Sequence, residues 1–216
     1  MKTNNAKNVI EYWMLCEKLK EVVRTGWTLW HVEKDRLESV AEHIYGTQML
    51  AIAMWSEYGY QIDIKKIITM LACHELEEIK IGDMTPFDEG YDVKNENGHL
   101  AVAQILENLA NGDEIKKLVF EFDARETIEA KFAYACDKME ANLQSAVYDE
   151  FVNLEKQAKN YAINDSLVDK HLKTSDGFCE MFVGYGRDKY EKIFDENFKE
   201  VAELLIKINS KKSFKK

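Results

Sequence analysis

The stretch MLACHELEEIKIGD, residues 70–83, runs from apolar Met70, Leu71, Ala72 and Cys73 straight into His74, Glu75, Glu77, Glu78 and Asp83. Two other segments also bring a metal-binding side chain to an apolar run: His43 follows SVAE, and Asp137 follows KFAYAC. Imidazole nitrogen and carboxylate oxygen without thiolate suit divalent metals such as Mn, Fe, Co, Ni or Zn. Inward-facing His and carboxylate side chains from separate helices are one way a bundle builds such a site. A carboxylate right after an apolar run must be solvated, paired or metal-bound, because burying it unpaired is costly.

Each residue also has an ordinary reading. A lone histidine near a helix start is a surface or capping group, His74-Glu75 is a helix end meeting water, and Asp137 pairs with Lys138 or Lys131. Residue types and spacing alone leave the metal site and the ordinary readings both open.

The elements that must position these residues read as helices. Proline occurs once, at Pro86, and glycine 10 times in 216 residues, too few breakers for a loop-rich fold. A first helix is expected over 6–23, then the RTGW break at 24–27 and a loop to Leu37. Ser39 and Glu42 have the spacing of a capping box and open a second helix. Asp63 caps a third, expected to run unbroken through His74 to near Gly82, which would put Glu78 on the same face as His74. DMTPFDEGYDVKNENG, 83–98, reads as irregular, with helices following over HLAVAQILENLA, GDEIKKLVFEFDA and TIEAKFAYACDKMEANLQSAVYDEF. Beyond residue 150, DSLVDKHLK and RDKYEKIFDENFKEVAELLIKIN are expected helices, and the Lys-rich SKKSFKK, 210–216, a disordered tail.

A net charge of −10 disfavours a nucleic-acid polymer bound over a broad face, yet leaves room for a small phosphorylated substrate neutralised by one Arg, one Lys and a metal ion. The four cysteines form no C-x-x-C pair, so a structural zinc site is not expected. No stretch has the length of a membrane span or a signal peptide, so the expectation is a cytoplasmic protein with no membrane partner.

RTGW, ESVAEH, HELEEIKIGD and ACDKMEANLQ, taken in order, resemble the HD-domain metal-dependent phosphohydrolases in their 5′-deoxynucleotidase branch, over residues 10–150. The resemblance implies an all-α fold, an HD-domain helical bundle over 1–150; the additional C-terminal helices expected over 151–209 come from the sequence pattern and are expected to pack on that core. It implies that His43, His74, Glu75 and Asp137 hold one divalent metal ion, with Mn, Co, Ni, Fe, Zn and Mg as the candidates. Glu78 and Asp83 would be catalytic, and Arg24 and Trp27 would bind substrate, the first at the phosphate and the second at the sugar. The chain departs from the family at Glu75, where the family has Asp; the extra methylene moves the carboxylate.

The implied reaction is hydrolysis of deoxyribonucleoside 5′-monophosphates to nucleoside and phosphate, by a homodimer. The alternatives are another small phosphate ester as substrate, or an altered HD-like module that binds a nucleotide or a partner without turnover. With five histidines in all, a two-metal HD enzyme is not expected, and His99 reads as a residue of a helix N-terminus.

Overall fold

The computed structural model describes residues 4–213. Among these the chain is helical and has no sheet, as expected for an all-α protein. It forms two compact units. The first comprises residues up to Thr25 and Glu38–Ala133; the second comprises Gly26–Leu37 and the chain from Tyr134 onward. The division between the units falls inside a helix, and the segment Gly26–Leu37 is grouped with the C-terminal helices.

In the first unit, α1 (Asn5–Glu17) starts at Asn4, whose side chain accepts from the Lys7 N–H. It tightens into a 3-10 turn at Lys18–Lys20, and an isolated antiparallel bridge then joins Val23 to Ser39. Between these in the chain comes α2 (Thr25–Leu29), a short helix where the sequence reads as loop, which from Gly26 onward belongs to the second unit. The capping box forms as expected: the Ser39 hydroxyl accepts from the Glu42 N–H, the Glu42 carboxylate accepts from the Ser39 N–H, and α3 (Val40–Tyr58) follows. Asp63 caps α4 (Ile64–Cys73) by accepting from the N–H groups of Lys65 and Lys66.

The helix through residues 64–82 is not continuous. It stops at Cys73, crosses a turn at 74–77 and resumes as α5 (Glu78–Ile81). At the break His74 donates from Nδ1 to the Leu71 carbonyl at 2.7 Å. The chain then tightens, with Leu76 N–H on the Cys73 carbonyl and Glu78 N–H on the Glu75 carbonyl. Gly82 ends α5 at φ +75°, a conformation that favours glycine.

A 3-10 turn at Tyr91–Val93 leads into α6 (Lys94–Leu106), which starts earlier than the sequence suggests. Then come α7 (Gly112–Ala124) and α8 (Ile128–Tyr148), the helix that leaves the first unit after Ala133. Here α3 packs on α4, α4 on α7, and α6 on α1, α5 and α7. One cluster of this core joins Cys73 and Leu76, on either side of His74, to Val102, Ile105, Leu106 and Val119.

In the second unit, α9 (Ser166–Thr174) and α11 (Glu196–Ser213) both pack on α10 (Phe178–Lys189). Helix α10 lies where no separate helix is expected, and the single long helix expected from Arg187 divides near residue 190. The expected tail at 210–216 is helical as far as Ser213; its last three residues lie outside the described chain. The unit's core is aromatic: Trp27, Trp30, Tyr148, Phe178 and Phe182 meet with ring centroids 5.1–6.5 Å apart.

Candidate metal centre

His43 lies at the start of α3, on a turn fixed by the Ser39–Glu42 capping box. His74 closes α4 and Glu75 opens the turn after it. All three are buried in the first unit. Glu75 Oε1 lies 3.6 Å from His74 Nε2 and 4.0 Å from His43 Nε2, and the two imidazole rings are 5.5 Å apart. Two ligand atoms each about 2.1 Å from one metal ion sit roughly 3.0–3.4 Å apart at tetrahedral or octahedral angles. Both observed separations are wider than this, the His43 one by more than half an ångström, so closing the set requires side-chain adjustment. Glutamate at 75 therefore reaches the two imidazoles.

The donor chemistry also fits. Because His74 Nδ1 gives its proton to the Leu71 carbonyl, Nε2 keeps its lone pair for a cation. Two imidazole nitrogens and a carboxylate oxygen make a site for a divalent metal and do not select one from the borderline series.

Basic groups surround the acids. Arg24 Nη1 stands 3.0 Å from Asp83 Oδ1 and 3.7 Å from Glu75 Oε1. Asp83 Oδ2 accepts from the Thr25 N–H at 2.5 Å, and its carbonyl accepts from the Thr25 hydroxyl at 2.8 Å. Asp83, expected in proton transfer or at the sugar, thus has both carboxylate oxygens engaged in holding Arg24 and the backbone beside it. Glu78 is 1% exposed and accepts from Lys94 Nζ at 3.0 Å. Lys94 also lies 3.9 Å from Glu75 Oε2. Burial, then the charges of Glu75 and Asp83, push the Glu78 carboxyl well above its usual range, while Lys94 and Arg24 oppose the rise. Glu77 is pushed up to about 8, first by burial and then by Glu75. For Lys94 the desolvation that favours the neutral amine is outweighed by Glu75, Glu78 and Glu77, which keep it protonated.

Lys94 is the residue that sequence reasoning missed. It stands in a stretch read as irregular, and no periodicity links it to Glu78. Glu78 reaches the acidic group by the 74–77 turn and α5 rather than by a shared helical face with His74.

Asp137 and Trp27 belong to the second unit. Asp137 is buried on α8 and is paired with Lys138 at 2.8 Å, the pairing offered by its ordinary reading. Trp27 is 3% exposed, edge-on to Tyr148 and Phe178 and tilted on Phe182. These contacts place it in the aromatic core of the second unit. His99 is inside α6, stacked on Phe120 with Nε2 2.7 Å from Asp123.

Residues 16–176 match the model of an HD domain. The chain is 35% identical to a 5′-deoxynucleotidase HDDC2 of Dictyostelium discoideum over 170 residues, covering 74% of this chain and 87% of that one. It is 27% identical to the human 5′-deoxynucleotidase HDDC2, covering 68% and 71%. Among solved structures, a predicted metal-dependent phosphohydrolase from Magnetospirillum magnetotacticum superposes with a TM-score of 0.67 at 20% identity, covering 97% of this chain and 95% of that one, a likeness of fold. The chain belongs to the HD-domain family.

Proposed function

We propose that this protein hydrolyses deoxyribonucleoside 5′-monophosphates to nucleoside and phosphate with one divalent metal ion. The observation that carries the reading is the convergence of His43 Nε2 and His74 Nε2 on Glu75 Oε1 inside the first unit. The names of the relatives support the substrate class. Asp137 is the fourth ligand in this reading. It is supported by its place in the His, His-acid, Asp order along the chain.

A bound divalent ion supplies a water of lowered pKa and a polarised phosphoryl oxygen. The chain's own residues do the rest. Arg24 offers a planar fork of donors to the phosphate, and Asp83 with Thr25 fixes the direction of that fork. Glu78 takes the proton of the attacking water, with Lys94 holding one of its oxygens. Burial of His43, His74 and Glu78 keeps competing water from these groups and strengthens each electrostatic contact. The test is Asp137→Asn: metal-dependent phosphate release is lost while the helical circular dichroism stays. Unchanged turnover in that variant contradicts the assignment.

Homodimerisation belongs to the same reading. Val9, Ile10, Trp13 and Met14 on α1 are exposed apolar side chains, while Tyr12 of that helix packs against the core cluster. Trp13→Glu is expected to convert a dimer to a monomer in light scattering; a dimer that survives it rules out α1 as the interface. The free cysteines fit a reducing, cytoplasmic setting.

A further inference from the structure

Glu75, Glu77 and Glu78 each offer a carboxylate oxygen within 4.8 Å of the others, all in the first unit. Three carboxylates that close make a hard oxygen-donor set for a cation. A second observation points the same way. Glu78 Oε2 is buried and has no hydrogen-bond partner among the described residues, and the residue is 1% exposed. A buried carboxylate oxygen left in that state is costly unless a positive charge stands near. The charge is present: the Lys94 ammonium, on the first residue of α6, sits 3.0 Å from Glu78 Oε1 and 3.9 Å from Glu75 Oε2, with only 15% of its side chain exposed.

We infer that Lys94 is a resident cation standing where the Glu75–Glu77–Glu78 group would otherwise hold a second divalent ion, and that it fixes the metal content of this chain at one. The inference rests on the metal centre proposed above, whose ligand Glu75 both cations share. An ammonium is a compact point charge with three donors, and it satisfies several carboxylates as a small metal ion does, but without open coordination positions. Arg24 does not serve in its place, because its guanidinium is held by Asp83 at 3.0 Å and comes only to 3.7 Å from Glu75. A second ion is therefore kept out by occupancy and by repulsion, and Glu78 keeps an oxygen for proton transfer.

The test is metal stoichiometry, read by equilibrium dialysis against Mn²⁺ with elemental analysis and independent of turnover. Wild type and Lys94→Arg are expected to hold one Mn²⁺ per chain. Lys94→Met is expected to hold two, because the acids lose their internal cation. If Lys94→Met is too unstable without metal, its melting temperature rises in two saturable steps as Mn²⁺ is added, where wild type shows one. The double variant Glu77→Gln/Lys94→Met returns to one ion. One Mn²⁺ in wild type and also in Lys94→Met overturns the role of Lys94, as does two in wild type. No bound Mn²⁺ in wild type sinks the metal centre itself, and this inference with it.

Discussion

Arg24 and Asp83 face each other at 3.0 Å, and the same aspartate accepts the N–H of Thr25, the residue after that arginine. One carboxylate thus fixes both the guanidinium and the backbone that carries it. Gly82, at φ +75°, immediately precedes it in the chain. Asp83→Asn keeps the shape and removes the charge. Losing a charge-assisted contact of this kind costs about 1.5–3 kcal/mol, so kcat/KM for phosphate release is expected to fall on the order of 10–100-fold, mainly through KM. Steady-state kinetics check this, and an unchanged KM contradicts the anchoring role.

Glu75 sits where the family has aspartate, and its Oε1 lies within 4.0 Å of both imidazoles. Glu75→Ala is expected to weaken Mn²⁺ binding by more than the roughly 10–100-fold typical of losing an outer partner of a ligand. Isothermal titration on metal-stripped protein measures it. Affinity within a factor of about three of wild type would remove Glu75 from the ligand set.

Trp27 is packed among aromatic rings rather than open to a ligand. Trp27→Phe leaves a partial cavity and is expected to destabilise the protein by about 1–3 kcal/mol in urea unfolding. The ratio of deoxyribo- to ribonucleotide turnover should stay unchanged. A stable variant with altered sugar preference would return Trp27 to the substrate.

Asp188 draws Lys170, His171 and Arg187 to its carboxylate. Its burial raises its pKa, but these hydrogen bonds outweigh that and lower it to about 2. A carboxyl whose folded pKa is depressed binds its proton more readily when unfolded. Its contribution is therefore full above the unfolded value and is lost as pH falls from about 4 through about 2. At neutral pH this amounts to at most about 2 kcal/mol, reduced by solvent screening. The stability gap between wild type and Asp188→Asn should be widest above pH ~5 and shrink below pH ~4. A gap that is constant down to pH ~2 would show that the contacts contribute no charge-dependent stability.

Much of the fold is legible where the signal is local. Ser39 and Asp63 announce α3 and α4 because a side-chain cap needs only its own next few residues. The break at 74–77 is not legible, and nothing in the spelling of HELEE says that His74 Nδ1 will take the Leu71 carbonyl. Helix α10 is hidden by Gly184 and Gly186, which read as breakers. In the fold they let His171 and Asn142 come close, since an added Cβ would fall 2.6 Å from His171 Nδ1 and 2.7 Å from Asn142 Oδ1. The order of the candidate ligands His43 and His74-Glu75 is legible through the family resemblance, whereas the Lys94 contact depends on where α6 begins and so appears only in three dimensions.

The most direct measurement is phosphate release by metal-stripped protein reloaded with Mn, Co, Ni, Zn, Fe or Mg in turn, offered deoxyribo- and ribonucleoside 5′-monophosphates in parallel. The expected result is no release without metal and release from the deoxyribonucleotides with at least one metal. Silence with every metal, or equal release from the stripped protein, would contradict a metal-dependent nucleotidase.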